Sequence, residues 1–153
     1  YDFQQLTDSQ IDKYVNDYIK KADLNLVTGV VDGNDGNRLI GFGVSFPSFT
    51  DALQKIGNGN LLPCGWSIIL KVLKFHATYT VDLLLIGELP EYRAKGANAL
   101  IFADLIEQYH RYGFKWAAAM PQMESNKGVQ SQWQYLESEQ HRRRRCYRKV
   151  MVR

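Results

Sequence analysis

The stretch from Val81 to Tyr112 constrains the fold of this chain more than any other. Val81, Leu83, Leu84, Leu85 and Ile86 make a nearly unbroken apolar run of strand length, which predicts a buried strand. Gly87-Glu88-Leu89-Pro90 closes it, and Glu91-Tyr92-Arg93-Ala94-Lys95-Gly96-Ala97-Asn98 leads into a helix. Ala97, Leu100, Ile101, Leu105 and Tyr112 follow roughly the 3.6-residue repeat of a packed helical face. A strand that delivers a loop onto a helix N-terminus gathers unpaired backbone N–H groups around one point. The helix dipole adds partial positive charge there, so the point suits a phosphate or pyrophosphate.

The 153 residues predict one domain, with 45% hydrophobic and 23% charged residues as in a soluble globular protein. No apolar run reaches the roughly 18 residues of a membrane span. Cys64 and Cys146 lack a metal-ligand spacing and read as buried thiols in a reducing cytoplasm. His76, His110 and His141 are scattered, so no metal site is expected. The chain begins Tyr-Asp-Phe, without Met or a signal peptide, and reads as a fragment lacking its leading segment. Charge is uneven: residues 141–153 hold seven of the 19 basic residues and no acidic one, leaving 12 basic against 16 acidic elsewhere.

Thr7-Asp8-Ser9-Gln10 is a capping-box pattern ahead of Ile11, Tyr14, Val15, Tyr18 and Ile19, which predicts an amphipathic helix with its tyrosines in the core. Residues 24–31 and 39–46 predict two strands of a hairpin around Asp32-Gly33-Asn34-Asp35-Gly36-Asn37. Two helical pieces follow, 51–56 and about 64–74, the second with Trp66, Ile69, Leu70 and Leu73 on one side. After the central strand and its helix, Gly113 is placed to cap the helix. A strand over 115–120, a helix from Ser125 or Asn126 to about Glu139, and a basic strand over 142–152 complete the order.

The loop Arg93-Ala94-Lys95-Gly96-Ala97-Asn98, after Pro90-Glu91-Tyr92, resembles the acyl-CoA loop of the GNAT superfamily of N-acetyltransferases, Gln/Arg-x-x-Gly-x-Gly/Ala. Asn98 stands where that family usually has Gly or Ala. The order of elements is also similar to the GNAT fold from its second helix onward. The resemblance implies a single α/β (α+β) domain over 1–153, with a mixed, mostly antiparallel sheet flanked by helices. A helical insertion at about 50–75, carrying Leu62-Pro63-Cys64-Gly65-Trp66, looks like that of an uncharacterised bacterial branch.

The resemblance also implies site residues. Main-chain groups of Ile86, Gly87 and Glu88 would meet the pantetheine arm. Those from Arg93 through Ala94, Lys95, Gly96, Ala97 and Asn98 would hold the pyrophosphate, with charge from Arg93 and Lys95. Asn126 matches the Asn that opens the family's last helix near the pantetheine. Seven residues later the family often has a Tyr that protonates the departing thiolate; here it is Trp133, whose indole N–H only donates. Asp82 and Glu88 are the carboxylates placed to take a proton from an amine, Asp82 because partial burial in a strand raises its pKa.

No Gly-x-Ser-x-Gly elbow and no Gly-x-x-x-x-Gly-Lys-Ser/Thr loop is present, and Gly41-Phe42-Gly43 lies within a strand rather than at a strand-to-helix turn. The implied function is acyl-CoA-dependent, in the first place acetyl-CoA-dependent, N-acetylation of an unidentified amine, without a metal. A homodimer is compatible with this. One alternative is a non-catalytic CoA-binding or structural module, favoured by Trp133. Another is a basic nucleic-acid adaptor built on His141 through Arg145, Arg148 and Lys149, which is weaker because a strand divides its arginines between two faces.

Overall fold

Four strands, β1 (Val27–Asp32), β2 (Arg38–Pro47), β3 (Thr80–Glu88) and β4 (Trp116–Ala119), lie side by side in chain order. β1–β2 and β2–β3 pair antiparallel and β3–β4 parallel, the mixed, mostly antiparallel sheet expected. The computed structural model describes residues 5–17, 20, 22–56, 61, 65–93 and 95–149. They fall into two compact units, one within Gln4–Met120 and one within Pro121–Arg153. The larger unit holds the sheet with helices α1 (Asp8–Asp17), α2 (Thr50–Lys55), α3 (Gly65–Phe75) and α4 (Ala97–Tyr112). α2 and α3 lie between β2 and β3.

α4 covers one face of the sheet. Ile101, Leu105 and Tyr109 of α4 join Leu26, Val81 and Phe114 in a buried cluster, with Val30, Leu83 and Ile86 packed against it. Two glycines let the helix come this close. A β-carbon on Gly43 would lie 2.7 Å from Ile101 Cγ2 and 3.0 Å from Leu105 Cδ1, and one on Gly41 would lie 3.2 Å from Ile101 Cδ1. A polar pair lies in the core: Ser45 Oγ donates to Leu26 O (3.0 Å) and lies 2.8 Å from Tyr109 Oη. Burial pushes the Tyr109 hydroxyl pKa up to about 12 against the opposing effect of that hydrogen bond. α4 ends as expected at Gly113, left-handed at φ 76°, with Gly113 N–H and Phe114 N–H donating to the carbonyls of His110 and Tyr109.

β3 carries one irregularity. Its register on β2 passes from Val44↔Leu85 to Ser45↔Leu83, leaving Leu84 without a partner. Such a bulge reverses the in–out alternation beyond it. Val81 and Leu83 face α4 before it, and Ile86 does so after it.

Several sequence expectations need correction. The capping box forms, Thr7 N–H donating to Gln10 Oε1 at 2.9 Å and Gln10 N–H to Thr7 Oγ1 at 3.4 Å. Yet Ile11, Tyr14 and Val15 are exposed rather than core, Tyr14 at 53%. The same holds for Trp66, Leu70 and Leu73 on α3, and for Leu100 on α4. Periodicity shows that a helix segregates its apolar side chains, not that a neighbour covers them. Tyr18, Ile19 and Cys64 lie outside the described residues.

In the smaller unit, α5 (Lys127–Ser131) passes into a 3-10 turn over Gln132–Tyr135, well short of Glu139. Gly128 in its first turn and the polar residues around it give it little helix propensity or apolar face. Residues 137–149 form no strand. Four consecutive arginines offer no apolar alternation to bury, and Arg143 and Arg145 pair instead with Glu124 at 3.1 and 3.9 Å. Cys146 there is exposed rather than buried.

Candidate functional site

β4 stops with Ala119 opposite Leu83, while β3 continues to Glu88. From Leu84 onward, β3 therefore has no strand partner on that side among the described residues. Leu89 N–H donates to Ile40 O at 2.8 Å. The alternation of an antiparallel ladder then makes Gly87 and Phe42 the next bonded pair. It turns the N–H and C=O of Ile86 and Glu88 toward the unpaired side. Gly87 has a second role, since a β-carbon on it would come within 3.0 Å of Phe42 Cε1.

The chain next makes a 3-10 turn over Pro90–Tyr92, with Arg93 N–H returning to Pro90 O (3.3 Å) and Lys95 N–H to Tyr92 O (3.1 Å). Arg93 and Lys95 thus use their amides within the turn, and Ala94 lies outside the described residues. Gly96 is the N-cap of α4 at φ 91°, with no side-chain cap. Its carbonyl accepts from Leu100 N–H at 3.1 Å. The N–H groups of Gly96 and Ala97 have no acceptor among the described residues. A β-carbon on Gly96 would meet nothing within 4 Å, so the turn is open to an anion. Ala97 is buried and anchors the helix start; Asn98 is half-buried.

A brace holds this turn. Tyr92 Oη donates to Asp32 Oδ2 at 2.6 Å, and Asp32 Oδ1 accepts from Asn34 N–H at 2.9 Å. Arg38 Nη2 reaches Glu91 Oε1 at 3.2 Å. The bond from Tyr92 holds the Asp32 carboxyl below the usual carboxylate range, and the same bond raises the tyrosine. Lys95 Nζ sits 5.0 Å from the centre of the Tyr92 ring. Sequence reading missed Asp32 and Arg38, because nothing in a local pattern links a hairpin turn to a loop some sixty positions later.

The two candidate carboxylates do not meet. Glu88 Cβ lies 3.8 Å from where a Gly41 β-carbon would stand, on the α4 face. Asp82 precedes the bulge, paired with Phe46 and Ala118, and faces the other side. Six positions of strand separate them by about 20 Å. Burial pushes Asp82 up, partly offset by its hydrogen bond with Ser48. In the smaller unit, Asn126 caps α5, its Oδ1 accepting from Val129 N–H at 3.3 Å. Trp133 Nε1 donates to Gln122 Oε1 at 2.9 Å. No group of three or more potential metal ligands and no helix able to cross a membrane occurs among the described residues.

No protein-family model matches the sequence, and neither does any curated protein. Solved structures do match. One is AAC(6')-Iy in complex with the bisubstrate analog CoA-S-monomethyl-acetylneamine, with TM-score 0.58 and 18% identity over 97% of this chain and 84% of that one. Another is the aminoglycoside N-acetyltransferase AAC(6')-Iy with CoA, with TM-score 0.51 and 19% identity over 97% and 98% of the two chains. The chain has the fold of these GNAT acetyltransferases.

Proposed function

We propose that this chain binds an acyl-CoA, acetyl-CoA foremost, and transfers the acyl group to an amine. One observation carries the reading: the unpaired edge of β3 leads through a braced turn to an open, uncapped helix N-terminus. Acceptors and donors for an amide-bearing arm and donors for a diphosphate therefore follow one another along the chain. The fold shared with AAC(6')-Iy supports it.

In this reading the main chain of Ile86 and Glu88 meets the pantetheine arm, with Gly87 leaving room for the Phe42 ring. The amides of Gly96, Ala97 and Asn98 hold the diphosphate, and Arg93, Ala94 and Lys95 complete the loop, the two cations supplying charge. Acetyl-CoA, when bound, supplies a thioester. Glu88 N–H polarises its carbonyl, since the main chain of Glu88 points to the unpaired edge. The Glu88 carboxylate, in preference to Asp82, takes the proton of the attacking amine, directly or through water; as the C–N bond forms the C–S bond breaks, and CoA leaves as a thiolate that takes a proton from water. A homodimer and a cytoplasmic location are compatible with this reading.

Titration calorimetry with acetyl-CoA, together with thiol release over a panel of amines, tests it. AAC(6')-Iy is seen with an aminoglycoside-derived analog, so aminoglycosides belong in that panel. Saturable binding and amine-dependent thiol release are expected. A folded protein that gives neither heat nor a melting shift with acetyl-CoA overturns it. The second reading, a CoA binder without catalysis, is favoured by Trp133, a donor fixed on Gln122 where the resemblance places an acid. Binding without thiol release for any amine selects it.

A further inference from the structure

At the far end of α4 from Gly96, a cleft of about 650 Å³ opens between the helical insertion and the α4 C-terminus. The 16 residues of α4 hold its two ends about 24 Å apart. The volume is that of a small-molecule site. Ala52, Ile68 and Val72 give the cleft an apolar wall, with Ala52 and Val72 buried. Lys55 of α2 and Lys71 of α3 also line it. Neither lysine has a carboxylate partner among the described residues. Asp51 is the one acidic residue in the lining.

The inner end is built from His76 and Tyr112, whose rings stack with centroids 4.1 Å apart. His76 holds a left-handed backbone, φ 48°, in the region where His is one of the enriched side-chain-bearing residues. Its Nε2 is buried and lies 3.0 Å from Asp23 Oδ2, but out of line for a hydrogen bond. Asp23 is already engaged, accepting from Tyr112 Oη at 2.7 Å and from Asn25 N–H at 2.9 Å. An apolar wall and two lysines without carboxylate partners among the described residues thus meet in one cleft.

We propose that this cleft is a second binding site, taking a small organic anion: a carboxylate carried on an apolar body. Lys55 and Lys71 meet the charge, and the body lies against Ile68, Val72 and the His76–Tyr112 stack. Two lysines against one aspartate disfavour a cationic ligand, and the apolar wall gives an inorganic anion nothing to cover. The inference is independent of the acyl-CoA reading, because no residue of the Gly96 loop or of β3 lines the cleft.

The test uses 4-phenylbutyrate as probe, with 4-phenylbutanol and 4-phenylbutylamine as controls, followed by calorimetry and by amide chemical shifts. Saturable binding of the carboxylate, weaker binding of the alcohol and amine, and shifts centred on Lys71, Thr78 and Gly113 are expected. The double variant Lys55→Glu, Lys71→Glu changes exposed positions and is expected to weaken binding by at least about tenfold without altering the melting temperature. Saturating acetyl-CoA should leave probe binding unchanged. No saturation, equal binding of the three probes, full binding by the double variant, or displacement of the probe by acetyl-CoA would each overturn the proposal.

Discussion

Tyr92 and Asp32 join the turn ahead of α4 to the tip of the β1–β2 hairpin through a 2.6 Å hydrogen bond. The bond presets the loop that ends at Gly96, so that ordering it is not charged to ligand binding. Tyr92→Phe keeps the ring beneath Lys95 and removes only the hydroxyl; Asp32→Asn weakens the same bond from the other side. Each is expected to raise the dissociation constant for acetyl-CoA by about fivefold to tenfold, the double variant losing no more than either single one. Melting temperatures should stay nearly constant. Unchanged affinity in both variants, measured by calorimetry, would remove the brace from the site.

Asp82 gives a pH signature. Burial raises its folded-state pKa above the unfolded value, so the folded state holds this proton more tightly. The stabilisation from that proton is complete below the unfolded pKa and disappears as pH rises through the folded one. Asp82→Asn, which cannot ionise, should therefore melt above the parent protein at pH 7. The gap should close as pH falls into the ordinary carboxylate range near about 4. Calorimetric melts from pH 3 to pH 8 check this, and a variant that melts lower at pH 7 contradicts it.

Gly43→Ala tests the packing of α4. The added carbon would fall 2.7 Å from Ile101 Cγ2, closer than real contacts allow. A destabilisation of about 1–3 kcal/mol in urea unfolding is expected. Gly41→Ala, facing the more mobile Cδ1 at 3.2 Å, should lose less.

Glu88 is asked to act through both its main chain and its carboxylate. Glu88→Gln keeps the first and removes the second. Affinity for acetyl-CoA should stay within about twofold, while the turnover of amine-dependent thiol release falls by about a hundredfold or more. Equal turnover at every pH would move the proton acceptor elsewhere.

The strand, loop and helix from Val81 to Tyr112 were legible because each is a local matter: an apolar run, a glycine at positive φ, and a 3.6-residue repeat. Burial was less so. The tyrosine of α1 and the tryptophan of α3 have the right spacing and still face water, because the surface that would cover them is a property of other segments. The arginines after His141 read as a strand only while their spacing was considered without their mutual repulsion. In the site, Gly96 was visible as a backbone requirement. The separation of Asp82 from Glu88 was not, since the leucines on either side of Leu84 are alike and hide a shift of phase.

Leu84 shows how finely the strand is counted. Removing that one residue would leave Leu83 and Leu85 as successive partners of Ser45 and Val44 in an unbroken ladder, with Ile86 still against the helix and Gly87 still on the other face. The surplus position is thus where β3 can lose a residue without exchanging its two faces, and a single deletion should be tolerated better there than at Asp82 or Ile86.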